Sequence, residues 1–328
     1  MSVAEAVEKE NVVMRAGDCA VTILPRLGGK IASIRIKDME LLQAPLSAYA
    51  PRTPVMDFDQ GDASGWDECL PSVAACSVET EAGTMVVPDH GDLWRVEWAD
   101  TDEGSDDPNG YLRLTGRCFS LPLVLERTIN LTETGSGWRL CLDYRLENPG
   151  TFPAPWSWAA HPLFVAEAGD RIFLPQSIDT VRVEGSGGAR LGQGGDEVSW
   201  PVGVLADGSS ADMSIAQGPV SGIGDKLFAG PLQSTENWCA LERPKAGVRI
   251  KFGFDPVATP YLGLWICYGG WPDRRGLKQQ CVALEPATAP VDSLAVTGPW
   301  SRLLAAGESF SWSMTVDIET ILSVNPHA

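Results

Sequence analysis

Phe310, Trp312, Met314, Val316 and Ile318 alternate without interruption with Ser311, Ser313, Thr315 and Asp317. Successive side chains on a β-strand point to opposite faces, so this spacing gives one apolar face and one polar face. A helix would scatter the same residues around its circumference. The segment therefore reads as an antiparallel strand with one dry side. Leu140, Leu142, Tyr144 and Leu146 repeat the pattern against Arg139, Asp143, Arg145 and Glu147, and the preceding run Leu123–Leu131 joins them through Thr134-Gly135-Ser136-Gly137. Two such runs around a Gly-rich turn predict a hairpin. Val248, Ile250, Phe252 and Phe254 alternate in the same way, as do Leu262, Leu264, Ile266 and Tyr268. Helical candidates are confined to the start, around Val3 to Glu10, and a short turn near Pro290 to Ala295. No Gly-rich strand-to-helix fingerprint and no internal repeat is found, which removes nucleotide-binding and solenoid architectures.

Strands dominate, and the expected class is all-β, a large antiparallel β-sandwich. At 328 residues the chain has room for one large β domain or two ordinary ones. Pro, Gly and Ser gather between Glu184 and Ser210, but strong strands flank that stretch and sandwiches carry long loops. The expected organisation is a single domain over residues 1–328 with a decorated central loop.

The formal net charge of -18 speaks against nucleic acid or an anionic membrane as the partner, because both attract cationic surfaces. A neutral small molecule fits better. The N-terminus, MSVAEAVEKENVV, is mixed and acidic rather than a basic start followed by an apolar run, so it does not read as a secretory signal. No stretch is long enough to span a bilayer. Cysteines at 19, 69, 76, 118, 141, 239, 267 and 281 form no CxxC pair and read as reduced core thiols, which points to the cytoplasm. Asp100 to Asn109 reads as a solvated acidic loop rather than a metal site.

Histidine is the side chain whose proton changes hands near neutral pH, and this chain has only three. His327, next to the last residue, reads as a solvated tail. His161 lies in Trp156-Ser157-Trp158-Ala159-Ala160-His161-Pro162-Leu163-Phe164, an aromatic setting that suits either a sugar-binding pocket or plain packing. His90 lies in Val87-Pro88-Asp89-His90-Gly91-Asp92-Leu93-Trp94, a loop bracketed by Pro and Gly, where a polar residue is either functional or bonded to backbone. Glu285 ends the apolar run Cys281-Val282-Ala283-Leu284-Glu285-Pro286. Burying a carboxylate is costly, so an acid here is either paired structurally or kept with a raised pKa as a general base.

Together these segments carry a resemblance. His-Gly, then His-Pro-x-Phe, then Leu-Glu-Pro, in that order over most of the chain, resembles the galactose mutarotase-like superfamily, which includes the aldose 1-epimerases. Gly28-Gly29-Lys30-Ile31-Ala32-Ser33-Ile34 and Gly65-Trp66-Asp67-Glu68-Cys69-Leu70-Pro71 support it. The resemblance implies a supersandwich with a sugar bound on one concave face. It makes Glu285 the general base, His161 the general acid and His90 a holder of sugar oxygens, and it matches Asp225, in Gly224-Asp225-Lys226-Leu227-Phe228, to the family's substrate-binding aspartate. It implies interconversion of the α and β anomers of an aldose without a metal or organic cofactor, the acid and base lying on opposite sides of the sugar.

The pattern also departs from the family. An arginine usually precedes the first histidine, and Leu70-Pro71-Ser72-Val73-Ala74-Ala75 has none. Asp67 and Glu68 are the nearby groups able to take its place as hydroxyl acceptors, Glu68 being equally open to a structural role. The loop around His90 lacks the arginine that phosphate recognition would use, and Arg274 and Arg275 read as a solvated pair, so an unphosphorylated sugar is expected. A non-catalytic sugar-binding protein of the same fold, or an epimerase of a phosphosugar or larger glycan, is the alternative.

Overall fold

The computed structural model describes residues 11–60, 63–103, 110–272 and 278–321. The N-terminal helical candidate, positions 104–109 of the expected acidic loop, Arg274, Arg275 and His327 lie outside them, and Asp100 to Glu103 of that expected loop belong instead to a strand.

The alternating C-terminal segment forms the strand Ser309–Thr320, with Trp312, Met314, Val316 and Ile318 buried. It pairs antiparallel with Gly137–Glu147 on one side and Val248–Phe254 on the other. Gly137–Glu147 returns to Val124–Thr134 with Thr134 opposite Gly137, the hairpin expected from the sequence. These strands are the centre of an eight-stranded sheet, ordered Arg171–Phe173, Trp238–Arg243, Val248–Phe254, Ser309–Thr320, Gly137–Glu147, Val124–Thr134, Tyr111–Arg117 and Ala99–Glu103.

A second, eleven-stranded sheet packs against it. Its order is Val12–Ala16, Cys19–Leu24, Lys30–Ile36, Trp66–Cys69, Ala159–Val165, Gln280–Ala287, Tyr261–Tyr268, Ile223–Ala229, Thr180–Ser186 and Glu197–Ser199, with Met39–Glu40 beside Lys30–Ile36. Phe252 of the smaller sheet lies 6.0 Å from the ring of Trp66 and 5.8 Å from that of Phe164, and Tyr144 lies 5.0 Å from Trp158. These contacts lock the two inner faces into an antiparallel β-sandwich. The Pro- and Gly-rich stretch after Glu184 decorates one edge, where Glu197–Ser199 pairs with Thr180–Ser186 and Val202–Val204 pairs with Ser210–Asp212.

In the larger sheet the order in space departs from the order in the chain. The strands Trp66–Cys69, Ala159–Val165, Gln280–Ala287 and Tyr261–Tyr268 are neighbours, so residues more than a hundred positions apart share one face. Both faces of this central region are buried. The inner face packs on the smaller sheet, whereas the outer face carries two separate apolar clusters, one around Phe58, Trp94, Leu163 and Ala283, the other around Cys69, Ala159, Phe228 and Ala287. Polar side chains lie between them. The eight cysteines are free thiols. Among the described residues no helix is long and apolar enough to cross a membrane.

Candidate active site

Strand register assembles the site. Ala159 pairs with Ala287 and Leu163 with Ala283, which puts His161 opposite Glu285; on its other side His161 pairs with Asp67. Glu285 in turn pairs with Gly263, and Trp265 pairs with Lys226. Because side chains at matched positions share a face, Asp67, His161, Glu285 and Lys226 all project outward between the apolar clusters.

Of these, His161 and Lys226 line a cavity of about 240 Å³, together with Phe58, Asp89, His90, Asp292, Gln279 and the rings of Trp265 and Trp271. Glu285 is fully buried immediately behind His161 and Lys226. Its Oε2 accepts a hydrogen bond from the Lys226 ammonium. Its Oε1 has no hydrogen-bond partner and lies 3.7 Å from His161 Nε2. Lys226 Nζ is also 3.5 Å from Oδ1 of Asp292.

Burial dominates the electrostatics. It raises the Glu285 carboxyl above the ordinary carboxylate range, with Lys226 opposing the shift. It lowers the His161 imidazole well below its usual value, and the charges of His90, Lys226 and Lys30 lower it further. Burial also works against a charged Lys226, but Asp292 and Glu285 together outweigh it and hold the ammonium protonated. The two shifts run in opposite directions, the carboxyl upward and the imidazole downward.

His90 reaches the cavity from a loop with left-handed backbone, φ 57°. The next residue, Gly91, has φ 69°, and a β-carbon there would fall 2.2 Å from the carbonyl oxygen of Leu70, so only glycine fits. Asp89 Oδ2 bonds His90 Nδ1 at 2.8 Å. Arg95 donates to the carbonyls of Asp89, Gly91 and Met56, bracing this loop against the segment that carries Phe58. Phe58 stacks on His90 with ring centroids 3.7 Å apart and meets His161 edge-on at 5.5 Å. The two imidazoles stand perpendicular at 5.2 Å.

Of the residues anticipated from sequence, Glu285, His161 and His90 come together, and Asp67 stands beside His161 without lining the cavity. Asp67 is buried and accepts from Lys30 Nζ at 2.6 Å. Glu68 points the other way, into the sandwich, where it accepts from Arg127 at 2.9 Å, Tyr144 at 3.0 Å and Trp158 at 2.9 Å. It is a structural acid and not a hydroxyl acceptor in the cavity, since it follows Asp67 on a strand and must face the opposite side. Asp225 is likewise on the inner face, bound by Ser186 Oγ at 2.6 Å and by Arg190. The outer position belongs to Lys226, one residue on. Glu285 and His161 are adjacent, not separated by a sugar-sized gap, because their strands are neighbours. Lys226, Asp292, Gln279, Phe58, Trp265 and Trp271 were not anticipated. Among the described residues no group of three or more His, Cys, Asp or Glu is placed to hold a metal ion.

No family model and no curated protein matches this sequence. Solved structures do match. The Slr1438 protein of Synechocystis sp. PCC 6803 has a TM-score of 0.69 at 15% identity, over 94% of this chain and 96% of its own. A protein of Escherichia coli K12 described as a candidate aldose 1-epimerase has a TM-score of 0.68 at 16% identity, over 95% and 99%. A galactose mutarotase-like protein of Clostridium acetobutylicum has a TM-score of 0.65 at 15% identity, over 95% of each chain. The backbone topology is shared nearly end to end while the sequence has diverged, and the chain has the galactose mutarotase-like fold.

Proposed function

We propose that this protein, acting as a single domain, is an aldose 1-epimerase-like enzyme that interconverts the α and β anomers of an unphosphorylated monosaccharide. The observation that carries the reading is the unpartnered Oε1 of Glu285, 3.7 Å from His161 Nε2, behind a cavity walled by aromatic rings. Glu285 takes the proton from the anomeric hydroxyl and the C1–O1 bond becomes a carbonyl. The C1–O5 bond breaks, its electron pair goes to O5, and O5 takes the proton of protonated His161. Rotation about C1–C2 and the reverse sequence close the ring to the other anomer. O1 and O5 are both attached to C1, so an adjacent acid and base suit the two transfers. His90, Gln279 and Asp292 are available to sugar hydroxyls, and Phe58, Trp265 and Trp271 to the C–H faces of the ring.

The cavity of about 240 Å³ is smaller than the roughly 300–1,000 Å³ of a drug-sized site, which favours one ring over a larger glycan. Asp89, Asp292 and Glu285 outnumber the single ammonium of Lys226 there, which disfavours a phosphosugar. Polarimetry of freshly dissolved α-glucose and α-galactose tests the proposal: the protein should accelerate mutarotation, and Glu285→Gln and His161→Asn should each abolish the acceleration with the fold intact. Full activity in both variants would refute the assignment. The second reading, a silent sugar binder, is favoured by the ion pair that occupies one oxygen of the base; binding of the same sugars without turnover would support it.

A further inference from the structure

The cavity contains a charge that the acid–base scheme above does not use. Lys226 is nearly buried, lines the cavity, and directs its ammonium at Glu285 Oε2 and towards Asp292. A carboxylate with both oxygens free could swing about its last torsion and present either one. Here one oxygen is held by a charge-assisted hydrogen bond, the stronger kind, and the other is left facing the imidazole.

We propose that Lys226 is the positioning residue for Glu285: its ammonium occupies Oε2 and leaves Oε1, beside His161, as the one oxygen able to take a substrate proton. This rests on Glu285 acting as the base. The same contact favours the ionised form of Glu285, because a buried carboxylate without a counter-charge takes up a proton instead. The other titratable groups facing Glu285 are His161 and Asp67 from the strands on its His161 side, His90 from the loop, Asp292 from the segment after its own strand, and the thiols of Cys69 and Cys281. Among these, Lys226 is the cation in direct hydrogen-bond contact with the carboxylate. Asp292, whose Oδ1 has no hydrogen-bond partner, balances the ammonium without taking it away from Glu285.

The test is the pH profile of mutarotation in Lys226→Met and Lys226→Arg. Loss of the cation removes the largest influence lowering the Glu285 pKa and part of what lowers that of His161. Both limbs of the profile in Lys226→Met should therefore move to higher pH, the acid limb by about 1 unit or more, with kcat at the optimum falling roughly tenfold to a hundredfold. Lys226→Arg should restore most of the profile's position. A fall in rate with the profile unmoved would overturn the proposal, because a merely structural or substrate-contacting lysine would behave that way. Carbon-13 NMR titration of the Glu285 carboxyl, assigned with Glu285→Gln, separates this from the functional reading. If the wild-type protein turns over no sugar, the epimerase reading fails by itself; if the Glu285 titration does not rise in Lys226→Met, the role of Lys226 fails whatever the activity.

Discussion

Gly263 stands opposite Glu285 on the neighbouring strand, and a β-carbon at that position would lie 2.9 Å from Oε2 and 3.2 Å from the β-carbon of Glu285. Phe228 closes the same space at 3.3 Å, so the carboxylate and its lysine fit only because position 263 has no side chain. In Gly263→Ala the new methyl displaces Oε2 from its contact with Lys226. Misplacing a reacting group by about an ångström costs on the order of a hundredfold in rate. Steady-state polarimetry should show kcat falling by roughly tenfold to a hundredfold while the protein stays folded by circular dichroism. Unchanged kcat would mean that the carboxylate does not depend on this space.

Glu68 is one residue from Asp67 yet belongs to the core. Its carboxylate neutralises Arg127, and both side chains are fully buried. Removing one partner of a buried ion pair leaves an uncompensated charge and costs about 3–5 kcal/mol. Glu68→Gln should therefore lower stability by about that amount in urea unfolding, with sugar KM unchanged in the protein that remains folded. Intact stability with a raised KM would return Glu68 to the cavity.

Asp225 tests the same parity on another strand. It holds Ser186 and the partly exposed Arg190 on the inner face. Asp225→Asn is expected to cost about 1–3 kcal/mol through the weakened contacts and to leave KM for the sugar as it was. Asparagine at 225 raising KM severalfold without loss of stability would show that the aspartate serves the ligand after all.

These two residues also show where the sequence stopped being legible. Alternation is clear wherever one face is wet, as in Phe310 to Ile318, and there it predicted strands, hairpin and the inward side correctly. In Ile223–Ala229 and Trp66–Cys69 both faces are buried, so hydrophobicity carries no parity, and Asp225 could not be told from Lys226 or Glu68 from Asp67. A one-residue slip then exchanges the faces. His161, His90 and Glu285 could be singled out because histidines are few and a carboxylate at the end of an apolar run is conspicuous. Phe58 and Asp292 lie on connecting segments, and only the strand order in space brings them to the cavity.

The opposed shifts of the central pair predict the pH dependence. The scheme requires Glu285 ionised and His161 protonated. Burial raises the carboxyl above its ordinary 4.5, so the acid limb, below which Glu285 carries a proton, moves to higher pH. Burial, with the nearby cations, lowers the imidazole well below its ordinary 6.5, so the alkaline limb, above which His161 has lost its proton, moves to lower pH. The two limbs close on one another and belong to the coupled pair rather than to either residue. The enzyme-dependent mutarotation rate, with the spontaneous rate subtracted from about pH 4 to about pH 9, should trace a narrow bell with its optimum on the acid side of neutrality. A rate that held level through neutral and alkaline pH would show that protonated His161 is not the donor, and would leave neutral imidazole or another group to supply the proton to O5.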